Sequence, residues 1–109
     1  MGYYTTYKGE LKFNRELTAK DIAILNGYLG RKLGQLTIDL EFNDDYTALR
    51  HDGFEKTYDM ADAINALMTR INMVIPGLQL EGELLVHIEE YGEHFTIRMI
   101  DGIAQETPF

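Results

Sequence analysis

The sequence predicts an α+β fold: a two-layer sandwich in which two helices cover one face of a mainly antiparallel sheet of four to five strands, in the order β-α-β(β)-α-β-β. Three observations carry this. Two stretches place apolar residues at helical spacing, several others alternate apolar and polar residues, and the last two alternating stretches are joined by turn residues alone. A sheet with one apolar face and helices with one apolar stripe satisfy each other by packing as two layers.

Positions 3 to 13, YYTTYKGELKF, alternate as a strand, with Tyr7, Gly9, Leu11 and Phe13 on one face and Thr6, Lys8, Glu10 and Lys12 on the other. A helix opens at Thr18, where Thr18 and Asp21 form a capping box and Leu17 staples onto Ile22. Ile22, Leu25 and Leu29 make its stripe, and Gly30 ends it. The segment LTIDLEF then alternates strictly, sending Leu36, Ile38, Leu40 and Phe42 inward and Thr37, Asp39 and Glu41 outward. After Asn-Asp-Asp, Tyr46 to Arg50 forms a short irregular strand, followed by turn chemistry at His51-Asp52-Gly53.

The second helix runs from about Asp59 to Ile75, with Met60, Ile64, Leu67, Met68, Ile71 and Ile75 on one stripe, and Pro76-Gly77 stops it. Thr57 or Asp59 is its expected N-cap. LQLEGELLVHIEE buries Leu78, Leu80, Gly82, Leu84, Val86 and Ile88; a turn at Tyr91-Gly92 returns the chain through Phe95, Ile97 and Met99. Asp101-Gly102 is a further turn, and Ile103 to Glu106 adds a small final strand.

At 109 residues and 45% hydrophobic, residues 1–109 make one domain with a core large enough to need no staples. The absence of cysteine removes disulfides and thiol chemistry and fits a reducing cytoplasm. No apolar run approaches the length of about 20 residues that crosses a bilayer, and no signal-peptide pattern opens the chain, so a soluble protein without a membrane partner is expected. Serine is also absent, which excludes every Ser/His/Asp or Cys/His arrangement. A net charge of -8 argues against direct binding of DNA or RNA and favours basic partners.

Four places could carry chemistry. The run from Asp39 through Asp45 resembles a calcium loop, but the required glycine position is Asp44 and the required glutamate position is Arg50, so the pattern fails and no metal is expected there. The stretch DGFEKTYD is explained mainly as helix initiation; it leaves His51, Asp52, Glu55, Lys56 and Tyr58 near a helix N-terminus, where they could hold a small anionic ligand or a partner's side chain. Pairing Glu89 with His94 would bring His87 beside them in a metal-like count, but an exposed hairpin tip is better read as a solvated turn. Strand parity collects Glu10, Asp39, Glu41, Glu81, Glu83 and Glu89 on the sheet face away from the helices, relieved by Lys8, Lys12, His87 and Arg98. Such a face would steer a basic protein or imitate a phosphate array.

At MGYYTTYKGELKF, IDLEFNDDYTALRHDGFEKTYDM and LEGELL, the chain resembles a family of small proteins encoded by bacteriophages and prophages, whose pattern runs MGY and GEL, then DLEL with Asp-Asp, then WDGSEKTYDM. The likeness spans Met1 to about Glu83, and its most specific part is Asp52-Gly53 with Glu55 to Met60. His51 stands where the pattern has Trp and Phe54 where it has Ser. The family has no established activity, so the resemblance implies a phage setting in the host cytoplasm and little chemistry.

The expectation is therefore a non-enzymatic phage accessory protein, without cofactor, that binds and modulates a host protein of basic surface through the acidic sheet face. The alternative is a small-molecule binder or modest enzyme with its site at the start of the second helix, which requires a concave pocket there. A homo-oligomer with a purely structural role is the third reading.

Overall fold

In a computed structural model, which describes residues 5–54, 57 and 59–108, the chain forms two helices and a large antiparallel sheet. The strands are β1 (Thr5–Lys8), β2 (Leu11–Phe13), β3 (Lys32–Leu33), β4 (Leu36–Thr37), β5 (Leu40–Phe42), β6 (Ala48–His51), β7 (Leu80–Ile88), β8 (Glu93–Ile100) and β9 (Ile103–Pro108); the helices are α1 (Ala19–Asn26) and α2 (Met60–Asn72). Seven strands share the main sheet in the order β5-β6-β2-β7-β8-β9, with β1 also paired to β7, while β3 and β4 form a separate two-stranded piece. The expected count of four to five strands is too low, because two stretches that alternate in sequence are broken in space.

The first break is at Gly9. Its φ of +103° is one that only glycine adopts at ease, and a Cβ there would lie 3.0 Å from the Glu83 carbonyl oxygen. Gly82 on the facing strand has φ +107°, and its missing Cβ would lie 3.2 Å from the Glu10 carbonyl. The register is unchanged across the break, Lys8 opposing Leu85 and Leu11 opposing Gly82. Both chains therefore bend together at one elbow without an inserted residue, and parity survives: Leu11 and Phe13 are buried, Lys8 and Lys12 exposed. The second break falls at Ile38-Asp39, where β4 has turned back on β3 around Gly34 (φ +65°) and β5 starts afresh against β6.

α1 begins as its sequence dictates. The Asp21 amide donates to Thr18 Oγ1 at 3.1 Å, the Thr18 amide donates to Asp21 Oδ2 at 2.9 Å, and Arg15 adds a 2.8 Å ion pair. The helix stops at Asn26, earlier than expected; the chain continues in turns, and Gly30 takes its left-handed conformation after them. Of the expected stripe, Leu25 alone is fully buried. α2 carries more: Met60, Ile64, Leu67, Met68, Ile71 and, past its end, Ile75 are all buried, in one core with Leu11, Leu40, Leu49, Leu80, Leu84, Val86 and Ile97 from the sheet. α2 lies along β9, where the Asn65 side chain acts as an extra rung, donating to the Ala104 carbonyl at 2.9 Å and accepting from its amide at 2.7 Å. This rung covers part of a strand edge otherwise open to water.

The C-terminal hairpins follow their turn residues. Gly92 (φ +64°) closes the β7–β8 loop with its amide 3.3 Å from the Glu89 carbonyl, and Asp101 and Gly102 (φ +52° and +79°) make the two-residue turn between Ile100 and Ile103. β9 then extends to Pro108, longer than expected. None of the described helices is long and apolar enough to cross a membrane.

Candidate functional site

Burial fades along the inner face of the sheet. On β7, Leu84 and Val86 are fully buried but Ile88 is half-exposed; on β8 the same change runs from Ile97 to Phe95. The sheet extends beyond the start of α2, and the end that the described residues leave uncovered forms an open cleft of about 820 Å³. Ile88, Phe95, Ile97, Pro108 and Met60 supply its apolar surface; Thr5 and Tyr7 of β1, Glu93 and His94 of β8, Glu106 and Thr107 of β9, and Thr57 and Asp59 before α2 supply its polar one.

The loop wall of this cleft is held by a buried polar chain. The Gly53 amide donates to His51 Nδ1 at 3.3 Å, which leaves the ring proton on Nε2. Nε2 in turn donates to Thr57 Oγ1 at 2.7 Å, and the Thr57 hydroxyl donates to Asp39 Oδ2 at 2.9 Å, with the Phe54 carbonyl at 3.2 Å as its other acceptor. The Tyr7 ring packs on His51 with centroids 4.5 Å apart, and its hydroxyl lies 3.5 Å from the Thr57 carbonyl.

Burial sets the charge states. Desolvation pushes the Asp39 carboxyl up, the Thr57 hydrogen bond holding it down only in part, and desolvation pushes the His51 imidazole down against the pull of Asp52 and Asp39. A neutral imidazole agrees with the hydrogen-bond directions, so the 4.0 Å approach of Nε2 to Asp52 is no ion pair. The Tyr7 phenol is pushed up to about 12, first by burial and then by Glu106, Asp39 and Asp59.

The Asp39 expectation is corrected here. Ile38, Asp39 and Leu40 are all buried, Asp39 being 6% exposed, because the strand is interrupted between β4 and β5 and side-chain alternation does not cross the break. The N-cap expectation is corrected as well. Asp59 holds the cap position in a left-handed conformation (φ +55°, ψ +42°) and makes no capping bond, while the Thr57 hydroxyl is committed to Asp39 and His51. Asp52 closes its own turn by accepting from the Phe54 amide at 2.9 Å. Glu55, Lys56 and Tyr58 lie outside the described residues.

The outer sheet face is present but partly offset by cations. Register places Glu41 beside Arg50, Glu81 beside Lys12 and Glu83 beside Arg98, with Glu10 close enough to Arg50 to act on its charge. Glu41 and Glu83 are ion-paired to those arginines at 2.8 and 3.3 Å. Lys8 and Lys12 share the same parity, and Asp44 reaches Arg50 at 3.5 Å, so Glu10, Glu41, Asp44, Glu81 and Glu83 meet Lys8, Lys12, Arg98 and an Arg50 that sequence reasoning left out. Glu89 sits apart, in the β7–β8 turn. The cations paired with these carboxylates offset much of the local negative charge.

The imidazole pair also differs in register. His87, not Glu89, opposes His94; the two rings stack in parallel with centroids 4.2 Å apart, and no group of three or more His or carboxylate residues suited to a metal occurs among the described residues. The acidic run after β5 closes on itself: Asn43 accepts from the Thr47 and Ala48 amides, and Thr47 donates to Asp45 at 2.6 Å. Comparison with protein-family models, with curated proteins and with solved structures gave no match to this chain.

Proposed function

We propose that this protein binds a small organic ligand in the cleft at the start of α2, as a binding protein and not as an enzyme. One observation carries the reading: an apolar sheet surface runs past the helix that should cover it, and polar side chains from four separate segments converge around the gap. Apolar surface left in water forgoes roughly 25 cal/mol per Å² of burial, and a concavity of a few hundred cubic ångströms with apolar walls and few polar groups is the usual form of a ligand site.

The chemistry of the wall supports binding over catalysis. The Thr57 hydroxyl lies 2.7 Å from the His51 imidazole, but His51 presents a protonated Nε2 to it and so cannot take its proton. The Thr57 hydroxyl is also already engaged by Asp39, His51 and the Phe54 carbonyl. The chain of hydrogen bonds holds the loop in place instead. The phage setting implied by the resemblance is part of this proposal, with the ligand a metabolite of the host cytoplasm.

The test is amide NMR against a fragment library. Ligands are expected to move Thr5, Tyr7, Ile88, Phe95 and Glu106 together. Binders that move only the outer face, or a library without any binder, would end the reading.

A further inference from the structure

Resting on the cleft reading, we propose that the ligand carries a primary carboxamide or a lactam, whose C=O accepts from the Glu106 backbone N–H and whose N–H donates to the Glu106 backbone C=O. The strand ladder shows why that residue is open. The two-residue turn makes Ile100 and Ile103 a hydrogen-bonded pair, so Arg98 with Gln105 and Thr96 with Thr107 are bonded pairs as well. The backbone groups of Ala104, Glu106 and Pro108 therefore point away from β8, along the outer edge of β9. Asn65 occupies the first of these positions, its side-chain amide pairing with both the N–H and the C=O of Ala104. Pro108 has no N–H to offer. Between them Glu106 keeps one donor and one acceptor, and no described residue bonds either.

The protein's own carboxamide points to the ligand. A primary amide holds an N–H and a C=O side by side, which is how Asn65 meets the two backbone groups of Ala104 at 2.9 and 2.7 Å. Glu106 repeats that backbone pair two residues further along the same edge. Helical period sets Ala61 four residues before Asn65 on the same face of α2, and its methyl group has nothing with which to pair. The edge thus passes from a rung filled from within to one left for a guest. That second position borders the cleft, since Glu106, Thr107 and Pro108 line it together with Met60 and Asp59 at the start of α2. Register sets Phe95 opposite Pro108, so the neighbouring cross-strand pair gives the rest of the molecule an apolar seat. An ester or a carboxylate brings acceptors only and leaves the Glu106 carbonyl without a donor. A trans secondary amide points its two groups in opposite directions and meets one of them at most.

The experiment titrates three probes of similar shape against the protein by amide NMR: benzamide, N-methylbenzamide and methyl benzoate. Benzamide is expected to bind at least about five-fold more tightly than either of the others, as one added hydrogen bond allows, and to slow hydrogen exchange at the Glu106 amide. Glu106→Pro deletes the backbone N–H at an edge position whose N–H faces away from the ladder, where proline is tolerated, and should abolish the preference for benzamide. Glu106→Gln changes only the side chain and should keep it. Equal binding of benzamide and methyl benzoate, or of benzamide and N-methylbenzamide, overturns the amide rung while leaving the cleft as a ligand site. A preference that survives Glu106→Pro, or one that Glu106→Gln removes, overturns it in the same way. Should Glu106→Pro fail to fold by circular dichroism, exchange at the wild-type Glu106 amide decides, and an unchanged rate under saturating benzamide overturns the rung. No binding of any probe, joined to an empty fragment screen, overturns both readings.

Discussion

Thr57→Val tests the buried chain most directly, because valine keeps the shape of threonine and deletes only the hydroxyl. The hydroxyl serves two buried partners, Asp39 at 2.9 Å and His51 at 2.7 Å. A hydrogen bond to an ionised group contributes about 1.5–3 kcal/mol and a neutral one about 0.5–1.5 kcal/mol, so the variant should lose roughly 2–4 kcal/mol at neutral pH. For a domain of this size that lowers Tm by roughly 10–20 °C. The loss should shrink on acidification. The Asp39 pKa is already raised in the folded state, so its contribution favours folding below the usual carboxylate value near 3.8 and is lost as pH rises through the folded value. Removing the hydrogen bond that holds this pKa down widens that window upward, and a protonated Asp39 needs the hydroxyl less. Urea unfolding of both proteins at pH 4 and pH 7 measures the difference. An equal deficit at the two values, or a deficit below about 0.5 kcal/mol at pH 7, would refute an ionised Asp39 stabilised by Thr57.

Three further outcomes follow from the same contacts. His51 is depressed below 6.5 by burial, so its share of stability is present above that value and lost as pH falls towards the folded value; His51→Gln should flatten this part of the wild-type stability curve. Asn65→Ala should cost about 1–3 kcal/mol and speed hydrogen exchange at the Ala104 amide, and unchanged exchange would show that the rung is idle. Gly9→Ala or Gly82→Ala should each cost about 1–3 kcal/mol, from positive φ and a backbone oxygen 3.0 or 3.2 Å from the new methyl, and a neutral change by thermal denaturation would show that the elbow relaxes freely.

Much of the fold was legible because parity and helical period are local properties. The α2 stripe, the capping box of α1, the inward Leu80, Leu84 and Val86 and both C-terminal turns stand where side-chain direction demands, while Gly82, expected among the buried set, is exposed. The site was legible only in part. His51 shares parity with Leu49, whose burial pulls the imidazole inward, so its environment could have been found. Asp39 could not be, since its partner lies 18 residues away and the strand break above it leaves alternation intact on paper. The cleft depends on where a helix ends over a sheet, which is a matter of packing that no single segment encodes.

The glycine elbow has one further consequence. Tyr7, Ile88 and Phe95 stand on one side of the Gly9/Gly82 crease, while the loop bearing Thr57 is moored to the starts and ends of β5 and β6 on the other. The two jaws of the mouth thus hang from opposite leaves of a single folded sheet. The Tyr7 ring, set on one leaf and packed on His51 of the other, is the strut that spans them.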